Sequence, residues 1–477
     1  MNLIPLPPMF QQRMKELLQG ESGLFFQSYQ EHPWHGLRVN PLKVDPQLFR
    51  RISPFPLQPI PWCDFGFTYP HTVRPGKHPF HAAGLYYIQE PSAMAVAAAL
   101  DVQPGERVLD LCAAPGGKST QIAAALADDG LLIANEIHPV RAKALSENIE
   151  RMGVTGALVV SETPERLAER FPQYFDRILV DAPCSGEGMF RKLPEACEDW
   201  SPEKVSECHI MQTQILHSAA QMLKPGGTLV YSTCTFAPLE NEQTIEKFLA
   251  AHPEFELQPI AHREHFAPGR PEWSKSGNRQ LQLTARLWPH LLAGEGHFIA
   301  KLHKQADAAP GPGHPEEGRI QRKKKGKAAQ PAAAVSREAL TLWQAFAEET
   351  LPGLRANANR LYGFTLFGDQ LYALPDEPVD LSGLKVLRPG LHLGTVKKQR
   401  FEPAHALALA CRAADAARTA DFPSDSTEVL RYLKGESLAC DGKAGWTLVT
   451  VDGFSLGWGK QSGGQLKNHY PKGLRWT

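Results

Sequence analysis

The chain has 477 residues, 42% of them apolar and 21% charged, and its 51 basic and 51 acidic side chains cancel to a formal net charge of zero. That length exceeds one ordinary core and implies two to four domains, while the balanced charge excludes a polycation that holds nucleic acid by bulk attraction. No apolar run approaches the roughly 20 residues of a membrane span, and the opening Met-Asn-Leu-Ile-Pro-Leu-Pro-Pro lacks a secretory pattern, so the expectation is a soluble, cytoplasmic protein with no membrane partner.

Residues 1–88 are rich in proline, aromatics and histidine, with one clear helical pattern near residues 9–18 and no evident chemistry. Arg38, Lys43, Arg50 and Arg51 are candidate RNA contacts within this N-terminal domain. In the next domain, 89–304, strand-like and helix-like patterns alternate. Strands are expected over 108–111, 131–135, 158–160, 177–180 and 228–231, and helices over 140–152 and 202–223. This rhythm predicts an α/β fold built on a doubly wound parallel sheet, with residues 286–290 and 296–302 adding edge strands as a hairpin.

Residues 305–335, which include the basic run from Arg319 to Lys327, cannot bury enough apolar surface to order themselves and read as a linker. The run is either a solvated tether or a phosphate contact. Beyond it, in 336–477, a helix is expected over 336–351, followed by short strands with glycine turns that suggest a β-rich module. Eight cysteines are scattered without a C-x-x-C pair, which argues against a disulfide framework and against zinc, so no metal is expected.

The first strand of the α/β unit runs into Asp110-Leu-Cys112-Ala113-Ala114-Pro115-Gly116-Gly117-Lys118 and then a helix. Consecutive glycines at such a turn admit a ligand close to the backbone and to the amides of a helix N-terminus. A P-loop needs glycine where Cys112 stands, and the G-x-G-x-x-G fingerprint is absent. Glu136 ends the second strand about 20 residues after Gly116, the place from which a carboxylate accepts hydrogen bonds from ribose hydroxyls. A glycine turn without a phosphate cradle, paired with a ribose carboxylate, suits S-adenosylmethionine. Asp110 would orient the turn or the amino-acid end of that cofactor, and Ser161-Glu162 would reach the adenine.

Cys184, in Asp181-Ala-Pro-Cys184-Ser-Gly, and Cys234, in Ser232-Thr-Cys234-Thr, both stand where an apolar run gives way to small polar residues. In a parallel sheet those strand ends share one crevice, so two thiols converge. Carbon 5 of a pyrimidine attacks a methyl sulfonium only after a nucleophile has added at carbon 6, and a thiolate does this well. Asp181 is the candidate to stabilise the activated ring, with a second thiol helping release. Residue types alone leave open which cysteine attacks. The other six cysteines read as small buried hydrophobes.

Ala113-Ala-Pro-Gly-Gly-Lys118, Asp181-Ala-Pro-Cys-Ser-Gly186 and Ser232-Thr-Cys-Thr235, preceded by Tyr87-Ile-Gln-Glu-Pro-Ser-Ala-Met94, resemble the motif set of the Sun-type RNA cytosine-C5 methyltransferases. The tail from Leu456 to Arg475 resembles the PUA-like RNA-binding end of the bacterial branch acting on small-subunit ribosomal RNA. The resemblance implies a Rossmann-like methyltransferase that makes 5-methylcytosine, with ribosomal RNA or the small subunit as partner and a monomeric enzyme. It implies that Cys234 is the nucleophile and that Cys184 assists release, whereas DNA enzymes attack with the Pro-Cys cysteine. It also implies cofactor contacts from Cys112 to Lys118 and from Glu136, Glu162 and Asp181. Many relatives carry Asp where this chain has Ser161-Glu162. Lys192 and the tail residues Trp458, Lys460, Lys467, His469, Tyr470, Lys472, Arg475 and Trp476 are expected to meet RNA. Competing readings are a transfer RNA methyltransferase, a DNA cytosine methyltransferase and a non-catalytic ribosome assembly factor.

Overall fold

In the computed structural model, which describes residues 5–306, 335–354, 363–375 and 379–477, the chain begins with α1 (Pro8–Leu18). Proline suits its first turn because the missing N–H has no partner there anyway, and Phe10, Met14 and Leu18 recur at four-residue spacing to give the buried face. The strands β1 (Gly36–Val39), β2 (Gln58–Ile60), β3 (Cys63–Thr68) and β4 (Tyr86–Ile88) then form an antiparallel sheet in the order β2-β3-β1-β4. From β4 the chain enters α2 (Pro91–Ala99), whose first turn is capped by Glu90 accepting from the amides of Ser92 and Ala93.

β5 (Arg107–Asp110), β6 (Leu131–Asn135), β7 (Ala157–Val160), β8 (Phe175–Asp181) and β9 (Leu223–Thr233) are parallel neighbours in the order β7-β6-β5-β8-β9. The order reverses between β5 and β8, which opens a crevice at their C-terminal ends. The crossovers carry α3 (Gly117–Leu126), α4 (Pro139–Arg151), α5 (Pro164–Arg170) and α6 (Pro202–Met222), and α7 (Glu242–Ala251) follows β9. Val108, Leu132, Ala134, Val159, Leu179 and Val230 belong to one buried cluster, and Leu109, Ile133, Leu158, Ile178, Leu229 and Tyr231 to another. Apolar side chains on both faces are what made these segments legible as continuous hydrophobic runs. By the two-residue period, Asp110, Asp181 and Ser232 continue the first face past the last apolar residue of their strands.

The sheet is mixed, its parallel centre carrying antiparallel edge strands. β10 (Phe255–Gln258), β11 (Ala267–Pro268), β12 (Ala285–Leu287) and β13 (His297–Lys304) join it antiparallel, with β13 directly beside β9. The expected hairpin is therefore present as β12 and β13. At the other edge, Val386–Arg388 from the C-terminal region pairs antiparallel with β7. Three residues carry too little alternation to announce that pairing.

Beyond the linker, whose basic run lies outside the described residues, a helix spans Arg337–Thr350 near the expected range. A four-stranded sheet and a five-stranded sheet follow. The five-stranded sheet shares one apolar cluster with the N-terminal sheet, joining Leu37, Phe49, Phe67 and Tyr86 to Val429, Tyr432, Val449 and Leu456. Two residues expected to stack on RNA are core instead. Trp458 and Tyr470 are buried, and Trp458 donates its Nε1–H to the Ala404 carbonyl at 2.9 Å. Lys460, Lys467 and Lys472 are exposed.

Arg38 and Lys43 are corrected in the same way. The buried Arg38 guanidinium donates to Gln89 Oε1 at 3.0 Å, Gly117 O at 3.1 Å and Thr120 Oγ1 at 2.8 Å, tying β1 to the first turn of α3. Lys43 Nζ donates to the carbonyls of Ala83 at 2.6 Å and Arg151 at 3.3 Å. Both cations face protein, not solvent. Arg50 and Arg51 are exposed.

Candidate active site

The glycine turn after β5 is fixed from behind by side chains of its neighbours. Asn135 donates to Leu111 O at 3.1 Å, Arg141 to Ala114 O at 3.1 Å and Asn148 to Pro115 O at 2.8 Å. Gly116, at φ 111°, holds a backbone conformation that L side chains rarely adopt and starts α3. Asp110 is fully buried; its Oδ2 accepts from Ser119 at 2.6 Å, whereas Oδ1 has no partner. Burial is the main cause that pushes its carboxyl up to about 7.

Asp181, at the end of β8, accepts from Lys118 Nζ at 2.7 Å and from Ser232 Oγ at 2.6 Å. Burial raises the Asp181 carboxyl, but Lys118 and its other partners outweigh it and the net position is below the usual carboxylate range. Burial likewise pulls Lys118 down, and Asp181 more than restores it. The two are held as an ion pair.

Cys184 and Cys234 meet with their sulfurs 3.4 Å apart. The contact with Cys234, followed by burial, pushes the Cys184 thiol well above its usual range. At that distance either sulfur can donate to the other.

A family model described as 16S rRNA methyltransferase RsmB/F matches residues 97–303. Three further models match the N-terminal domain of 16S rRNA methyltransferase RsmF at 6–91, the RsmF first C-terminal domain at 345–411 and the RsmF PUA domain at 419–476. Ribosomal RNA small subunit methyltransferase F of Aliivibrio fischeri strain MJ11 is 34% identical over 454 residues, covering 92% of this chain and 90% of the relative. The same-named protein of Erwinia tasmaniensis is 32% identical over 498 residues, covering 98% and 96%. The chain belongs to the RsmF family of 16S rRNA methyltransferases.

Two solved structures share the fold of the sheet described above. A solved methyltransferase homolog from Pyrococcus horikoshii superposes with a TM-score of 0.57 at 30% identity, covering 63% of this chain and 96% of that one. NSun6 from the same organism, solved with SFG, has the fold in common at 21% identity, with a TM-score of 0.53, covering 63% of this chain and 99% of that one. As an RsmF-family member the protein is an S-adenosylmethionine-dependent methyltransferase. Its residues fit that cofactor: the unpartnered, buried Asp110 Oδ1 is an acceptor awaiting a donor, and Gly116 leaves the turn open beside the N-terminus of α3.

Glu136 is buried at the end of β6, where its Oε1 accepts from the His138 amide at 2.9 Å and its Oε2 lies 3.3 Å from Arg141. Glu162 has a different connection from the expected adenine contact. Its Oε1 accepts from the Lys385 amide at 2.6 Å and its Oε2 pairs with Arg166 at 3.1 Å, so the carboxylate fastens the C-terminal strand to the edge of the sheet. Cys112 is partly buried behind the turn, and burial raises its thiol.

The RsmF-family site also contains groups that the motifs did not reveal. Pairing of Phe298 with Thr233 puts His297 at the start of β13, opposite the C-terminal end of β9, where Lys118, Glu90 and Asp181 act on it electrostatically. Its Nδ1 lies 2.8 Å from Ser92 Oγ, and Ser92 donates its only hydroxyl proton to Glu90 Oε2 at 2.5 Å. The imidazole thus carries its proton on Nδ1 and its lone pair on Nε2. Burial pulls His297 down to about 4, so it is neutral near pH 7. Glu240 accepts from Ser185 Oγ, from the Ser185 amide at 2.9 Å and from Gln212 at 2.9 Å; burial pushes it up to about 7. Glu187 accepts from Arg13 of α1, from Trp200 Nε1 at 2.9 Å and from the Phe236 amide at 3.0 Å, bracing the loop after Cys184. Lys192 lies 3.9 Å from Glu295 and is one-fifth exposed. Of these residues, Glu90 and Ser92 lie in the Tyr87-to-Met94 segment, Ser185 in the Asp181-to-Gly186 motif, and Lys192 was expected to meet RNA; the others carried no sequence signal. Among the described residues no group of His, Cys, Asp and Glu is arranged to hold a metal ion, and no helix is long and apolar enough to cross a membrane.

Proposed function

We propose that the protein methylates carbon 5 of cytosine in small-subunit ribosomal RNA, in the cytoplasm, through a transient bond between Cys234 and carbon 6 of the base. The observation that carries this reading is the meeting of two thiols, 3.4 Å apart, beside an aspartate–lysine pair at the switch point of the sheet. Residues 89–304 perform the transfer, while 1–88 and 336–477 hold RNA; the match of 419–476 to a PUA domain supports that division.

The Cys234 thiolate adds to carbon 6, and the ring's electron density moves toward carbon 5 and the N3 edge. Cys184, with its sulfur 3.4 Å away, steadies that thiolate by a hydrogen bond, the division of roles that the resemblance to the Sun-type enzymes implies. Asp181 and Lys118 face the developing charge as a pair: the ammonium compensates it and the carboxylate fixes the ammonium. When bound, S-adenosylmethionine supplies an electrophilic methyl group. Asp110, the span from Cys112 to Lys118, and Glu136 would hold it, with Asp110 Oδ1 toward an ammonium and Glu136 toward ribose hydroxyls. After transfer the proton on carbon 5 leaves, the electron pair of that bond re-forms the ring double bond, and Cys234 departs as thiolate. Once Cys234 is bonded to carbon its contact no longer raises Cys184, which gives its own proton to solvent and, as a thiolate, takes the one leaving carbon 5.

Bisulfite sequencing of 16S and transfer RNA after incubation with the purified protein and labelled cofactor tests the reading. The expected result is one or more new 5-methylcytosines in 16S RNA, none with Cys234→Ala, and a covalent protein–RNA band with Cys184→Ala. Full activity in Cys234→Ala would remove the nucleophile assignment, and methylation confined to transfer RNA would remove the substrate.

A further inference from the structure

The N-terminal sheet carries a cavity of about 450 Å³ lined by His32, His35, Tyr69, His71, Arg74 and Lys77 together with Ile88 and smaller residues. That volume lies within the roughly 300–1,000 Å³ typical of small-ligand sites. Its rings are already paired: His32 stacks on His71 with centroids 4.3 Å apart at 12°, and His35 on Tyr69 at 5.7 Å and 21°. Arg74 donates to the carbonyl of His71 and to that of Val73, which keeps its guanidinium beside the rings. No lining residue is acidic. Lys192 reaches the same neighbourhood, since after burial its charge is the largest influence depressing His35.

The cavity is linked to the active site through neighbours in sequence and the hydrogen bonds they make. Ile88 stands two residues before Glu90, which holds Ser92 and through it His297. The Trp34 amide, next to His35, donates at 3.1 Å to Glu295, two residues before His297, and Trp34 is itself 40% exposed. Flat rings, of which His32 and His71 are exposed, with cations beside them and no acidic lining residue, are what an unpaired nucleotide requires: a stacking partner for the base and a counter-charge for its phosphate.

We propose that this cavity binds a nucleotide of the RNA substrate that flanks the target cytosine, with the histidine and tyrosine rings stacking on its base and Arg74 and Lys77 facing its phosphate. The proposal rests on the RNA reading given above. It assigns a role to the histidine-rich segment in which the sequence showed no chemistry.

The test is a His71→Ala/Arg74→Ala double substitution, both residues being exposed and outside the apolar clusters. RNA affinity is measured by filter binding of 16S RNA to the Cys234→Ala protein with and without the double substitution, so the result does not depend on methyl transfer. The expected effect is about tenfold weaker binding, the scale of one lost stacking contact with its phosphate pairing. In the otherwise native enzyme the same pair should raise KM for small subunits about tenfold with kcat within twofold and unchanged affinity for a cofactor analogue. Unchanged RNA affinity overturns the proposal. So does a KM rise seen with assembled subunits but not with naked 16S RNA, which would make the cavity a protein contact. Failure of the wild type to methylate any RNA would instead overturn the proposed function and leave the binding comparison intact.

Discussion

His297 of β13 and Ser92 of α2 are joined by a 2.8 Å hydrogen bond across 205 residues, and Ser92 passes its own proton to Glu90. These hydrogen bonds put the imidazole proton on Nδ1 and leave Nε2 as its acceptor. A positioned acceptor of this kind contributes roughly 10²-fold or more. His297→Phe, which keeps a ring of similar shape, should lower the single-turnover methylation rate about 100-fold with cofactor-analogue affinity within twofold. Ser92→Ala, which releases the tautomer, should cost less. An unchanged rate in His297→Phe would reduce the imidazole to packing.

The Lys118–Asp181 pair sets the acid side of the pH profile. Asp181 is held below the usual carboxylate range because Lys118 and its hydrogen bonds outweigh burial. A depressed folded value means that the pair's stabilisation is present above the unfolded carboxylate's value of about 3.9 and is lost as pH falls through the folded one. Lys118→Met leaves burial unopposed, so the acid limb of kcat/KM should move toward neutral pH while the maximum falls. A limb that stays in place would show that another group controls it.

Asp110 has the opposite sign. Its carboxyl is raised to about 7 chiefly by burial, so its contribution is fully present below the unfolded value and is lost as pH rises to the folded one. Relative to Asp110→Asn, the ligand-free protein should lose Tm as pH climbs from about 4 to above 7. An amino-acid analogue of the cofactor, bringing an ammonium to Oδ1, should reverse that loss and bind more weakly below pH 7. Calorimetry at pH 6 and 8 distinguishes these cases, and equal affinities at both would detach Asp110 from the ligand.

Arg38 gives a stability prediction. Its three hydrogen bonds to Gln89, Gly117 and Thr120 are made in a fully buried setting. Truncation leaves buried acceptors without donors, at a cost on the order of 3 kcal/mol. Arg38→Ala should therefore lower the urea midpoint substantially, and RNA affinity of the still-folded fraction should not change. Loss of RNA affinity without loss of stability would restore the phosphate-contact reading.

What the sequence determined by itself was everything encoded locally. The five central strands were visible because each is apolar on both faces, and α4 and α6 because their apolar residues follow a helical period. The glycine turn, the two thiols and Asp181 were visible because strand ends of a parallel sheet gather in one crevice whatever the loops between them do. Tertiary structure alone decided the rest. It turned Arg38, Lys43, Trp458 and Tyr470 inward, since a cation or an aromatic ring carries no local mark of which surface another domain will cover. It committed Glu162 to Lys385 and Arg166, lent Val386–Arg388 to the edge of the central sheet, and brought Glu90, Ser92 and His297 together. Apart from the local Glu162–Arg166 and Glu90–Ser92 contacts, these join residues more than 200 positions apart. Their partners are chosen by the packing of whole sheets against one another, a property that no period of two or 3.6 residues records.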